Sequence, residues 1–297
     1  MLRTLTTTAI IALIAGSATA DGVNYGRFSY DFTNFDDGFN EADISIVQGA
    51  IEYGFGQVLI TADIVSTTVE DGGSFDFQQY SLGGGYLITP EILVGAGVIG
   101  IKSELSDQNG YEIFGQYQTD QFGVALNVAK PDSDADYTYS TLYGEVAVTP
   151  AVNLGLALSQ YSDESWTYYV ASAEYNEGPI AARAYYQGYS DEDTAILGLR
   201  GSYELNAPFR ILASYETIVG DDLVDISVYT VGGGYRITDG VWFDANIGQI
   251  TGDSVMTDID RVQATITFET GKRTRIDNSF NQDALDDRLA GLGSFIF

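Results

Sequence analysis

Residues 179–217 read PIAARAYYQGYSDEDTAILGLRGSYELNAPFRILASYET. Ile180, Ala182, Ala184 and Tyr186 fall on one parity; Ala181, Arg183, Tyr185 and Gln187 fall on the other. Beyond the acidic run Asp191-Glu192-Asp193 and the turn Asn206–Pro208 the alternation resumes, with Phe209, Ile211, Ala213 and Tyr215 against Arg210, Leu212, Ser214 and Glu216. Successive side chains of a strand point to opposite faces, so this period of two predicts strands with one dry face and one wet face.

Outward from this stretch the same alternation runs from Asn24 to about Gly271, with no helical stretch of note. In 261–269, Val262, Ala264, Ile266 and Phe268 oppose Arg261, Gln263, Thr265, Thr267 and Glu269. Tight turns fall at Gly54-Phe55-Gly56, Thr89-Pro90, Thr119-Asp120, Thr149-Pro150, Asn176–Pro179, Asn206–Pro208 and Thr238-Asp239-Gly240. Four of the five prolines sit there, where a missing N–H costs the ladder nothing. Their spacing of about 30 residues accommodates two strands of roughly 10–12 residues and two connections.

Between the tight turns lie acidic connections: Asp36-Asp37, Glu70-Asp71, Asp107, Asp132-Ser133-Asp134-Ala135-Asp136, Asp163-Glu164, Asp191-Glu192-Asp193, Asp221-Asp222 and Asp253. Strands running alternately up and down gather these at one end and the prolines at the other. A soluble sandwich has no reason to sort its turns this way, whereas a transmembrane barrel has short turns at one rim and loops facing the medium at the other. The expected strands are 24–34, 42–53, 57–68, 75–88, 91–103, 111–118, 121–130, 137–148, 151–161, 166–175, 179–189, 194–205, 208–218, 225–237, 240–250 and 258–270. The fold class is thus all-β, an antiparallel transmembrane barrel of 16 strands; 14 or 18 also fit, because the division around 104–137 is the least clear. Only closure removes edge strands inside a bilayer. Phe28, Tyr30, Ile60, Ile64, Tyr80, Leu82, Tyr86, Phe122, Val124, Leu126, Leu154, Leu156, Phe209, Ile211, Tyr215, Phe243, Ile247, Ile266 and Phe268 form the lipid-facing set, with tyrosine, phenylalanine and Trp166 towards strand ends as girdles.

The first 20 residues read as a leader to be removed. Met1-Leu2-Arg3 is followed by the apolar run Ala9–Ala15 and by Gly16-Ser17-Ala18-Thr19-Ala20, with Ala18 and Ala20 in the spacing a signal peptidase requires. Cleavage before Asp21 removes Arg3 from the 13 basic residues and none of the 42 acidic ones, leaving a net charge of −30. Such a surface repels nucleic acid, so no nucleic-acid partner is expected. The chain has no cysteine and no histidine, which removes disulfides, Ser-His-Asp and Cys-His catalysis and His-ligated metals. No enzyme activity, cofactor or metal is expected.

On these features the chain resembles the Gram-negative outer-membrane porins, especially the sixteen-stranded kind common in alphaproteobacteria. The likeness rests on the leader, the hairpins carrying GGYLIT at Gly84–Thr89 and GGYRIT at Gly233–Thr238, and the terminal Phe297. It implies an outer-membrane location, contact with lipid, passive diffusion of small hydrophilic solutes and ions, and a homotrimer. Two departures stand out. Porins of that kind fold a long third loop into the barrel, and no loop here is long enough. Their last strand usually ends at the terminal Phe, whereas here about 27 residues follow it.

The wet face is the expected pore lining. Arg27, Arg183, Arg200, Arg210, Arg236 and Arg261 fall on it, with Glu204, Glu216, Asp244 and Glu269 as partner acids. Two arrangements fit: an arginine wall facing acids across the lumen, which sets a transverse field, or arginines paired with acids on neighbouring strands. The acidic connections, notably Asp132, Asp134, Asp136, Asp191, Glu192 and Asp193, suggest attraction of cations. Asp132–Asp136 lacks the glycine and glutamate of a calcium loop and reads as solvated. The glycine clusters 83–85 and 232–234 lie mid-strand, fitting close backbone packing or a smooth lipid face. The tail 272–297 opens on Lys272, Arg273 and Arg275, and Asn278 is placed to cap a helix to about Ala290. It reads either as a lumen plug replacing the missing constriction loop or as a periplasmic extension. The competing function is a non-conducting structural or adhesive barrel with acidic surface loops.

Overall fold

A computed structural model of the chain describes residues 22–36, 38, 41–70, 74–103, 107–132, 138–162, 165, 167–190, 194–205, 208–219, 226–252 and 258–276. The expected leader, Trp166 and the tail beyond Ile276 lie outside them. The first eight strands are β1 (Val23–Asp36), β2 (Glu41–Phe55), β3 (Val58–Glu70), β4 (Ser74–Thr89), β5 (Ile92–Ser103), β6 (Asp107–Gln118), β7 (Phe122–Pro131) and β8 (Tyr139–Thr149). The second eight are β9 (Val152–Tyr161), β10 (Tyr168–Glu177), β11 (Ile180–Tyr189), β12 (Ala195–Glu204), β13 (Phe209–Val219), β14 (Ile226–Thr238), β15 (Val241–Gly252) and β16 (Ile259–Gly271). Each pairs antiparallel with its sequence neighbours, and β1 pairs with β16 from Tyr25↔Gly271 to Asp36↔Asp260, closing a 16-strand barrel. Closure satisfies every edge, the condition for a sheet to span lipid.

The largest departure from the sequence expectation is β6, which begins at Asp107 instead of 111. Asp107, Gln108 and Asn109 carry no apolar alternation, yet their backbone continues the ladder opposite Lys102, Ile101 and Gly100, and Tyr80 donates to Asn109.

Tight turns join each even strand to the next odd one. Gly56, Gly178 and Gly240 take positive φ in three of them, a conformation glycine adopts without steric cost. Thr89, Thr119 and Thr149 organise three others, their hydroxyls accepting from the amides of Glu91 and Ile92, of Gln121 and Phe122, and of Ala151 and Val152. At the opposite rim, residues 132–138 are the longest span between strands, and only 104–106 separate β5 from β6.

Strand parity sorts the side chains. Leu82, Leu199, Phe209, Ile211, Ile247 and Val262 are about half exposed on the outer surface, as residues facing acyl chains would be. Ring pairs at the tight-turn end (Tyr117–Phe122, Phe209–Tyr235) and near the opposite rim (Tyr169–Tyr186) mark two aromatic bands. The glycine clusters divide by parity. Gly84 and Gly233 lie on the outer face, while Gly83, Gly85, Gly232 and Gly234 face inward, where an added Cβ would press on Thr61, Leu93, Asn246 and Asp244 respectively. Close packing and a smooth lipid face are therefore both present, on opposite sides of the same strands.

Candidate functional site: the barrel lumen

All ten charged residues expected on the wet face do point inward, and register places most of them beside one another. Glu174 lies directly across from Arg183 between β10 and β11, and Nη1 of Arg183 donates to Oε1 of Glu174 at 3.3 Å. Arg200 reaches Glu216 at 3.1 Å, and Arg236 reaches Glu204 at 2.7 Å. Arg210 forks onto Asp244 through Nε at 2.9 Å and Nη2 at 2.5 Å, its guanidinium stacked 4.0 Å from the Trp242 ring. Arg27 stands opposite Glu269, which accepts from Tyr25 Oη at 3.2 Å. Arg261 is 2 % exposed, with its guanidinium 5.7 Å from the Phe35 ring. The ion pairs join acids and bases on the same wall: Arg183–Glu174 and Arg200–Glu216 link neighbouring strands, while Arg236–Glu204 and Arg210–Asp244 each reach across one intervening strand.

The inner surface is nonetheless polarised around its circumference. Among the described residues its carboxylates are Asp31, Glu52, Asp63, Glu112, Glu145, Glu174, Glu204, Glu216, Asp244 and Glu269, ten against the six arginines. All six arginines lie on β11–β14, β16 and β1. The wall from β2 to β10 carries acids alone.

That acidic wall is occupied. After β16, Gly271 takes φ 78° and the chain turns into the barrel, with the amide of Lys272 donating to the carbonyl of Asn24 at 3.0 Å. Arg275, 0 % exposed, donates through Nη1 and Nη2 to the two carboxylate oxygens of Glu112 at 2.8 and 3.1 Å, and lies 3.7 Å from the Phe114 ring. Asn127 donates to the same carboxylate at 2.7 Å. Glu52 accepts from the amides of Thr274 and Arg275 at 2.6 and 3.1 Å. Gln116 donates to the Thr274 carbonyl at 2.7 Å and accepts from the Ile276 amide at 3.1 Å, while Arg273 reaches Asp63 at 2.8 Å. Ile276 packs among Ala125, Tyr143 and Ala157.

Two features escaped the sequence reading. Glu52, Asp63, Glu112 and Gln116 have the right parity, but nothing local distinguishes them from any other wet-face polar residue. Their partner is 158 to 223 residues away. The inner face also carries an apolar patch towards the loop rim: Phe35, Ile44, Ile46, Val65, Val228 and Ile250. Of the acidic connection residues, Asp132 is exposed at the end of β7; Asp134, Asp136, Asp191, Glu192 and Asp193 lie outside the described residues.

A sequence profile described as Gram-negative porin matches residues 136–288, just over half of the chain. The chain belongs to the Gram-negative porin family. Solved structures agree on the fold. Pseudomonas aeruginosa OpdQ is similar with a TM-score of 0.54 at 11 % identity, covering 84 % of this porin and 99 % of its own chain. A triple mutant of Rhodopseudomonas blastica porin gives 0.54 at 12 % identity, covering 83 % and 99 %. Pseudomonas aeruginosa OccK5 gives 0.51 at 11 %, covering 84 % and 98 %. Comparison with curated proteins finds no match. The porin is an outer-membrane channel, in contact with lipid and passing small solutes.

Proposed function

We propose that this porin passes small hydrophilic solutes and ions by passive diffusion with a preference for cations, and that Arg27, Arg183, Arg200, Arg210, Arg236 and Arg261 with their partner acids line the path. The observation that carries this reading is the excess of inward carboxylates over arginines among the described residues: ten carboxylates stand against the six arginines of the strands together with Arg273 and Arg275. Fixed charge inside a low-dielectric wall raises the local concentration of counter-ions. The acidic connections add to it at the rim. With no span between strands longer than residues 132–138, the loops offer little surface for adhesion. The homotrimer that the family resemblance implies belongs to the same reading and is tested by chemical cross-linking in native membranes.

The refolded, leader-free protein in planar bilayers under a salt gradient tests the proposal. Stepwise channels with a cation-selective reversal potential support it. Anion-selective channels overturn the preference, and a folded barrel that never conducts overturns the open path in favour of a structural barrel.

A further inference from the structure

We infer that the segment Gly271–Ile276 is a built-in constriction of the pore, held by a guanidinium cradle on β2, β3 and β6 and setting both the width and the charge of the acidic wall. Three observations converge on it. The segment is inside the barrel, with Arg273, Arg275 and Ile276 at most 8 % exposed. Its contacts are a built site rather than a chance approach. One carboxylate takes the Arg275 fork, a second takes two backbone amides, a third takes Arg273, and Gln116 pairs with both a carbonyl and an amide. Finally, the chain is shaped to enter: Gly271 has φ 78° and a Cβ there would collide with the Asn24 carbonyl, so the turn inward requires glycine.

The cradle places two fixed cations on the one stretch of wall that has acids and no arginine. A segment docked there narrows the cross-section and offsets part of the negative charge that a passing cation meets. Width and selectivity are therefore linked through the same two side chains, whatever the sign of the resting selectivity.

The double variant R273A/R275A tests the inference in the full chain. We expect a folded barrel, identified by heat-dependent gel mobility, whose single-channel conductance rises by roughly 1.5-fold or more and whose cation permeability increases relative to wild type. A folded double variant with unchanged conductance and selectivity would overturn the constriction. Because the chain has no cysteine, Thr274→Cys provides a second test that keeps both arginines. Labelling open channels with a charged thiol reagent is expected to reduce the current step. Labelled protein, verified by mass, with an unaltered current step would also overturn the inference. Reversal potentials of the wild type are read separately, so failure of the cation preference leaves this test intact.

Discussion

Arg275 and Glu112, 163 residues apart in the chain, form a two-pronged ion pair inside the barrel with side chains only 1 % and 5 % exposed. A pair buried this deeply is a weak source of net stability, since both charges lose their hydration. Removing one partner is another matter, because it leaves a buried charge without its ion-pair partner. Arg275→Ala should therefore destabilise the barrel by about 3–5 kcal/mol, and Glu112→Ala should cost a similar amount. The double variant R275A/E112A should fall well short of the sum. Urea unfolding in detergent micelles gives the cycle; strict additivity would show that the two residues act independently.

The inward glycines make a sharper steric prediction. Gly95 faces Phe114 directly across β5 and β6, and a Cβ at Gly95 would collide with the Phe114 ring and the Gly84 carbonyl. Gly144 on the outer face of β8 has nothing within 4 Å of the same position. Gly95→Ala should cost about 1–3 kcal/mol through overpacking, while Gly144→Ala should be close to neutral. Equal unfolding midpoints for the two variants would contradict this assignment of inside and outside.

Lipid exposure can be checked in the same assay. Leu199 lies mid-strand in β12 and is 55 % exposed on the outer face. Leu199→Arg should destabilise the barrel in bilayers by about 2–4 kcal/mol, the cost of an arginine near the midplane. Ser214→Arg, on the inner face of β13 one strand away, should cost much less because it enters the aqueous side. Similar losses at both positions would contradict the assignment of a lipid face and an aqueous face, and a larger loss at Ser214 would mean that the two are exchanged.

The fold was legible because its signals are local. Alternation such as Phe209, Ile211, Ala213 and Tyr215 against Arg210, Leu212, Ser214 and Glu216 fixes each face from a dozen residues, and turn residues such as Thr89-Pro90 recur at intervals of one hairpin. Strand count and parity follow from these alone. Asp107–Asn109 lacked that signal, because beyond the lipid a strand has no dry face to write in sequence, and β6 was accordingly read too short. The partner of each arginine was legible only as alternatives, since choosing Asp244 for Arg210 requires the β13–β14–β15 register. The cradle was least legible. Arg273 and Arg275 stand out as a basic run, yet the residues that receive them lie on β2, β3 and β6, brought near only by closure of the whole barrel.

The opposing charges of the arginine wall yield a last prediction, read in ions rather than in stability. Arg210 and Asp244 are joined by two hydrogen bonds, and the Arg210 guanidinium also stacks on Trp242, so each residue holds the other's charge in place. Arg210→Ala removes a fixed cation and leaves Asp244 to attract counter-ions. Asp244→Asn removes the anion and leaves Arg210 held over the indole. In a salt gradient the reversal potential should move towards cation selectivity in the first variant and towards anion selectivity in the second, with wild type between them. Both shifts should shrink as ionic strength rises and the Debye length falls from about 10 Å at 0.1 M to about 3 Å at 1 M. Shifts of the same sign in both variants would mean that the pair acts on pore shape and not through its charge, and would remove the β13–β15 wall from the ion path.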